Sequence, residues 1–151
     1  MSHPLNIQSC IIKHSIGAAA VGVPGAFAAH ADVPVLVGIW GKMIYNIAQH
    51  AKKDISSDTA AKIAVSIGMT AGTFAATGKV ANTYFAVSGV GTPLAILFNS
   101  SLNGVSTYAI GDSVANVILK DELSSGDIVK AAIGGLSAAF GNFFTPGNPK
   151  P

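Results

Sequence analysis

The stretch from Gly72 to Val80 comes closest to nucleotide-binding machinery in this sequence. Two glycines followed by Lys79 are typical of a phosphate-binding loop, in which backbone N–H groups and a lysine hold the phosphates. That motif has four residues between its glycines, whereas Gly72 and Gly78 have five between them, and Lys79 precedes Val80 rather than Ser or Thr. No strand is predicted before the loop. We therefore expect no nucleotide or other cofactor to bind here.

The remaining side chains with catalytic or metal-binding chemistry are scattered along the chain. The histidines, which show no metal-ligand spacing, are His3, His14, His30 and His50. His30 and Asp32 can orient each other, but a catalytic triad would also need a nucleophile beside them, so a structural pair is the favoured interpretation. Asp121 and Glu122 are adjacent and therefore face different directions, as in a solvated loop. The sequence predicts a protein that is not an enzyme and holds no metal.

Asp112 is the single polar residue with the strongest case for a role. It lies inside a predicted apolar helix, and an ionisable group within a membrane segment is costly enough to indicate a function and a partner. Lys42 or Lys79 is the expected partner. The alternative is a hydrated Asp112 near a membrane interface, since Lys120 follows about two helical turns later.

Composition favours contact with lipid or with another protein. Half of the 151 residues are hydrophobic and only 11% are charged, against about 25% charged residues in soluble domains. The net charge is +2, there is no arginine, and Lys52–Lys53 is the longest basic run, so a nucleic-acid partner is not expected. Cys10 is the only cysteine, which excludes an internal disulfide. The length predicts one helical domain over residues 1–151.

Apolar periodicity and turn signals predict an all-α fold of Gly/Ala-rich helical hairpins with close packing. About five helices are expected, over residues 9–23, 32–51, 56–87, 93–119 and 124–144. Asp32 as a cap and Pro34 in the first turn mark the start of the second helix. Ser124 with Asp127 resembles a capping box before the last helix. The tail, residues 145–151, is predicted to be loose.

The third predicted helix has a small residue at every fourth position. These residues are Ala60, Ala64, Gly68, Gly72 and Ala76. Such a row lets a second helix approach closely, which is how helices associate when lipid removes the hydrophobic driving force. A glycine inside a helix costs about 1 kcal/mol relative to alanine in water, so these glycines imply a gain from packing. We predict that the row is a helix-packing and assembly surface; the alternative is a soluble Ala-rich bundle with close crossings.

The segment from Val80 to Gly111 contains no charged residue. A helix on the surface of a soluble protein normally has charges on one face. We therefore expect the hairpin from Val80 to Leu119 to be buried in lipid or between protomers, with its Ser, Thr and Asn side chains bonding between helices.

Two segments have patterns found in a known family. They are Ala31–Ala48, where a Pro-containing turn leads into a basic-Met-Ile helix, and Gly89–Pro93 followed by Thr107–Gly111. These segments resemble the bacterial family called domain of unknown function 697, over most of residues 15–120. The resemblance implies a helical, membrane-associated module that many relatives carry beside a GTPase domain. This chain has no such domain and has Asp112 where the family has a basic residue, so a GTPase would be a separate partner.

The sequence thus predicts a non-catalytic, membrane-associated helical scaffold that forms homo-oligomers, with the bacterial inner membrane as its location. One alternative is a pore or transport component lined by Asn99, Asn103 and Asp112. Asp112 lies about 180° from Asn103 around a helix, so a single polar stripe is not indicated. The other alternative is a soluble helical bundle that encloses an apolar ligand.

Overall fold

The computed structural model describes residues 3–25, 32–70, 92–120 and 124–144. Regular structure within these ranges is helical, which confirms the predicted all-α fold. The helices are α1 (Leu5–Gly25), α2 (Val33–His50), α3 (57–70 of the described residues), α4 (Thr92–Ile118) and α5 (Ser125–Phe144).

Helix α1 begins four residues earlier than the predicted start at Ser9. The Pro4 carbonyl oxygen accepts hydrogen bonds from the backbone N–H groups of Ile7 and Gln8, both at 3.0 Å, and so opens the first turn. The helix also continues past the predicted stop at Val23 to Gly25.

The prediction that the Asp32 side chain caps α2 is wrong. Asp32 has helical dihedral angles, φ −83° and ψ −21°, and its carboxylate makes no capping hydrogen bond. Its backbone carbonyl oxygen accepts from the Leu36 N–H at 2.9 Å, and Pro34 occupies the first turn as predicted. Asp32 is 4% exposed, and its carboxylate turns toward α4 instead.

The predicted starts of the third and fifth helices are confirmed. The Thr59 N–H donates to the Ser56 hydroxyl at 3.1 Å at the start of α3. At the start of α5 the Asp127 N–H donates to the Ser124 hydroxyl at 3.2 Å, while the Asp127 carboxylate accepts from the Ser124 N–H at 3.2 Å. This reciprocal arrangement is a capping box.

Helix α4 packs against α1, α2 and α5 and forms the centre of the bundle. Its Ile110, Val114 and Ile118 are fully buried with Met43 and Ile44 of α2. Since these residues repeat at helical spacing, they form one apolar stripe along α4. The stripe anchors the core around which the other helices pack.

Helices α1 and α4 run antiparallel and in close contact. A β-carbon built on Gly22 would lie 2.5 Å from the Ser100 Cα, and one built on Gly111 would lie 2.9 Å from a methyl of Ile11. The C-terminal end of α1 therefore meets the N-terminal half of α4. Such close approach requires glycine at these contacts.

Candidate functional site

A buried cluster of polar side chains, Asp32, Asn99 and Asn103, fixes the rotation of α4 about its own axis. The Asn99 side-chain amide donates to the Gly22 carbonyl oxygen at 2.8 Å and to the Asp32 carboxylate at 3.2 Å. Asn103, one turn later, donates to the same carboxylate at 2.9 Å. Rotating α4 would leave these buried groups without hydrogen bonds, at a cost of about 1–3 kcal/mol for each group. The cluster therefore determines which side of α4 faces outward.

A second buried contact joins α2 to the same side of α4. The indole N–H of Trp40 donates to the Thr107 hydroxyl at 2.9 Å, and Trp40 is 3% exposed. Ser106 beside it is also buried. The expectation that polar side chains of this apolar helix bond between helices is confirmed for Asn99, Asn103 and Thr107.

The opposite side of α4 and the neighbouring side of α1 expose large apolar side chains. We call this surface the outer face; its residues are Leu5, Ile12, Ile16, Leu97, Val105 and Tyr108. The exposed fractions reach 84% for Leu5, 67% for Ile16 and 63% for Leu97. None of the six is charged. A contiguous exposed apolar patch commonly marks an interaction surface.

The two parts of the outer face lie on the same side of the bundle. Leu5, Ile12 and Ile16 lie within about 40° of one another around α1, at about 100° per residue. Thr107, which accepts the hydrogen bond from Trp40 of α2, lies about 200° around α4 from Val105. The exposed apolar residues of both helices therefore form one surface opposite α2.

The outer face ends at Asp112, whose partner differs from the expected lysines. The imidazole Nε2 of His3 lies 2.8 Å from a carboxylate oxygen of Asp112, and the Asn116 amide donates to the other oxygen at 3.4 Å. The His3 side chain is 6% exposed and that of Asp112 42%. Lys42 lines a groove between α2 and α3 instead, and Lys79 lies outside the described residues.

Within the described residues, the predicted row of small residues forms a helix contact inside this one chain. Ala60, Ala64 and Gly68 are buried. A β-carbon on Gly41 of α2 would lie 3.6 Å from that of Ala64, and one on Gly68 would lie 2.5 Å from a methyl of Val37. These three residues therefore pack α3 against α2. Gly72 and Ala76 lie outside the described residues.

Cys10, the one thiol, lies beside His14 in α1. Burial raises the pKa of the Cys10 thiol, and the charge of Lys13 opposes this only in part. The sulfur is 3.6 Å from the His14 Nδ1, which is also 2.8 Å from the Cys10 carbonyl oxygen. A thiol with a raised pKa is a weak nucleophile at neutral pH. Among the described residues no three His, Cys, Asp or Glu side chains are placed to hold a metal ion.

Several sequence predictions concern segments that the structure does not describe. These are the Gly72–Val80 stretch, His30, the pair Asp121 and Glu122, and the tail over residues 145–151. Within the described ranges, no helix has both the length and the apolar character needed to cross a bilayer.

The outer-face residues of α1 are not among the residues that the sequence predicts to form a surface site. Leu5, Ile12 and Ile16 are spaced by seven and four residues, which places them on one side of a helix. That signal was present, but the buried Ile7, Ile11 and Ala18 repeat with the same spacing. Periodicity alone therefore does not distinguish the outer side of α1 from its inner side.

No family model, curated protein or solved structure matches this chain. The resemblance to the family called domain of unknown function 697 therefore stays a prediction.

Proposed function

We propose that this chain is a non-catalytic helical interaction protein that binds a membrane surface through the outer face. The observation that carries the proposal is the exposure of six large apolar side chains on one side of α1 and α4. Transfer of apolar surface out of water stabilises such a contact by about 25 cal/mol per Å².

The shape of the outer face favours the headgroup region of a bilayer. An apolar surface of this kind can lie in the plane of the membrane, with its side chains reaching about 5–10 Å into the boundary with the acyl chains. Tyr108 is 44% exposed on this surface, and tyrosine is enriched at the membrane–water interface because it has an apolar ring and a polar hydroxyl. His3 and Asp112 form a polar border at one end of the face.

The size of the outer face favours lipid over a second copy of the chain. Leu5 to Ile16 and Leu97 to Tyr108 each span about 17 Å along a helix, and packed helices lie about 8–10 Å apart. Each helix therefore contributes a strip about 17 Å long and 8–10 Å wide, and the two strips together cover on the order of 300 Å². A stable protein–protein interface needs about 800 Å² from each partner, whereas binding to a bilayer has no such minimum.

Vesicle flotation tests the proposal directly. We expect the chain to float with phosphatidylcholine vesicles, and Ile16→Glu and Leu97→Glu each to reduce the bound fraction at least about tenfold, because either substitution puts a charge on the buried surface. Met69→Glu is the matched control, since Met69 is 77% exposed but lies on α3, away from the outer face. Circular dichroism would verify that all variants stay helical.

Two outcomes would contradict the proposal. The first is a wild-type chain that stays in the unbound fraction or floats no better than Leu97→Glu. The second is a dimer in light scattering that Leu97→Glu dissociates while vesicle binding is absent. That result would make the outer face a self-association surface.

Thiol labelling gives an independent measurement of the same surface. Leu97→Cys and Val105→Cys, each in a Cys10→Ser background, should react rapidly with a polar thiol reagent in solution because both positions are exposed. Saturating vesicles should protect both. Unchanged labelling rates with vesicles that bind the chain would place the contact elsewhere.

A further inference from the structure

A groove separates α3 from the beginning of α5, away from the outer face. Its volume is about 640 Å³, within the range of about 300–1,000 Å³ that is usual for small-molecule sites. Residues of α3 form one wall and residues of α5 the other. The groove shares no residue with the outer face.

The floor of the groove is apolar. Ile63 of α3 is 2% exposed, and Val129 and Ile133 of α5 are partly buried. Val129 and Ile133 are one turn apart and so line the groove along its length. An alkyl chain laid on these three side chains would replace water along the floor.

The rim of the groove is polar and basic. Lys62 lines the groove from α3 and Lys130 lines it from α5, together with the hydroxyl-bearing residues Thr59, Ser66 and Ser125. No acidic residue is among the described residues that line the groove. The rim therefore complements a negatively charged group.

Among the described residues, Asp58 and Asp127 lie next to this rim in sequence, and both leave its charge available. Asp58 pairs with Lys62 at 2.7 Å, but both side chains are more than 70% exposed, and surface pairs of this kind exchange readily because their net stabilisation is small. The Asp127 carboxylate accepts a hydrogen bond from the Ser124 hydroxyl at 2.7 Å, and the charge of Lys130 is the smallest of the influences that lower the pKa of Asp127. Lys130 makes no ion pair within the described part of the chain.

We propose that the α3–α5 groove binds one anionic amphiphile. A carboxylate or phosphate head lies between Lys62 and Lys130, and an alkyl chain lies on Ile63, Val129 and Ile133. This goes beyond the proposed function, because the groove and the outer face are separate surfaces. The same chemistry occurs in a free fatty acid and in the headgroup and acyl chain of an anionic lipid.

Titration with dodecanoate, below its micelle concentration, tests the groove. We expect methyl resonances of Ile63, Val129 and Ile133 to shift in a saturable manner. Dodecanol and dodecyltrimethylammonium should bind at least about tenfold more weakly, since they lack the negative head. Lys62→Met and Lys130→Met should each weaken dodecanoate binding about threefold and together about tenfold. Lys42→Met is the matched control, because Lys42 is an exposed lysine in a different groove.

Vesicles containing phosphatidylglycerol identify the source of the amphiphile. Reduced flotation of the Lys62→Met/Lys130→Met chain on these vesicles would support the groove with a membrane lipid as its ligand. Unchanged flotation, with weakened dodecanoate binding, would support the groove with a free amphiphile. The inference is overturned if dodecanol binds as well as dodecanoate, if the double variant binds dodecanoate like the wild type, or if the shifts arise elsewhere.

The proposal for the groove and the proposal for the outer face can be contradicted independently of each other. Leu97→Glu should retain full dodecanoate affinity, because it changes only the outer face. A chain that binds no vesicles can still show lysine-dependent binding of dodecanoate, and the reverse holds as well.

Discussion

Gly22 of α1 meets the backbone of Ser100 of α4 with no space for a side chain between them. A β-carbon on Gly22 would lie 2.5 Å from the Ser100 Cα and 2.7 Å from its nitrogen. Backbone atoms cannot rotate away as a side chain can, so a larger residue would push the two helices apart. Gly17, in the same helix, has no heavy atom within 4 Å of such a β-carbon.

These two glycines should respond oppositely to the same substitution. We expect Gly22→Ala to lower the free energy of unfolding by about 1–3 kcal/mol through overpacking. Gly17→Ala should raise it by about 0.5–1 kcal/mol, because alanine is the better helix former. Urea denaturation of both variants provides the measurement. Equal stability of the two would mean that α1 and α4 do not approach this closely.

Asp32 should be among the polar residues most important for stability. Asp32→Ala removes the acceptor of two buried amides, those of Asn99 and Asn103. We expect a loss of about 2–4 kcal/mol in the free energy of unfolding, since each unsatisfied buried group costs about 1–3 kcal/mol. Asp54→Ala, at an exposed position, should change it by less than about 0.5 kcal/mol. A small effect at Asp32 would argue against the cluster.

The capping box of α5 should make stability depend on acid pH. Hydrogen bonds from the Ser124 hydroxyl and backbone lower the pKa of Asp127 below its usual 3.8. A depressed folded-state pKa stabilises the fold above the unfolded-state value, and this contribution is lost as the pH falls through the folded-state pKa. Ser124→Ala should therefore lower the melting temperature at neutral pH and by less below the lowered pKa. A difference independent of pH would exclude an ionised Asp127 as its cause.

Replacing Lys52 with glycine should stabilise the fold. It follows the C-terminal end of α2 with φ at +55°, a conformation that costs an L-residue with a side chain roughly 1–2 kcal/mol. We expect Lys52→Gly to raise the free energy of unfolding by about 0.5–1 kcal/mol, after allowing for the greater freedom of glycine in the unfolded chain. Lys53→Gly is the control and should lower it, since Lys53 has no positive φ to relieve. Chemical denaturation of both would decide.

The helices and their caps were predictable because they depend on neighbouring residues. Pro34, Ser56 and the Ser124–Asp127 pair act within one turn of the chain. The role of Asp32 was not predictable, since the amides that use its carboxylate come from α4, which follows much later in the sequence. A sequence signal for a cap exists at Asp32, and tertiary contacts override it.

The candidate site depended even more on tertiary contacts. The part of α4 up to Gly111, which has no charged residue, was predicted to be buried, but only the fold decides that Asn99 and Asn103 face inward while Leu97 and Val105 face outward. Likewise, Lys42 or Lys79 was the predicted partner of Asp112, whereas the side chain that contacts Asp112 is that of His3. The α3–α5 groove combines residues from two distant segments, which no local pattern connects.

The burial of Cys10 makes the wild-type chain a reporter of its own local opening. Because Cys10 is buried, we expect its thiol to react with a thiol reagent mainly when the chain opens locally around it, so the reaction rate measures how often this opening occurs. Because Cys10 faces the core while Ile12 and Ile16 lie on the outer face of the same helix, a contact at the outer face that holds α1 in place should slow the reaction without touching the sulfur. The reaction rate of the unmodified Cys10 thiol would therefore report whether the outer face is occupied.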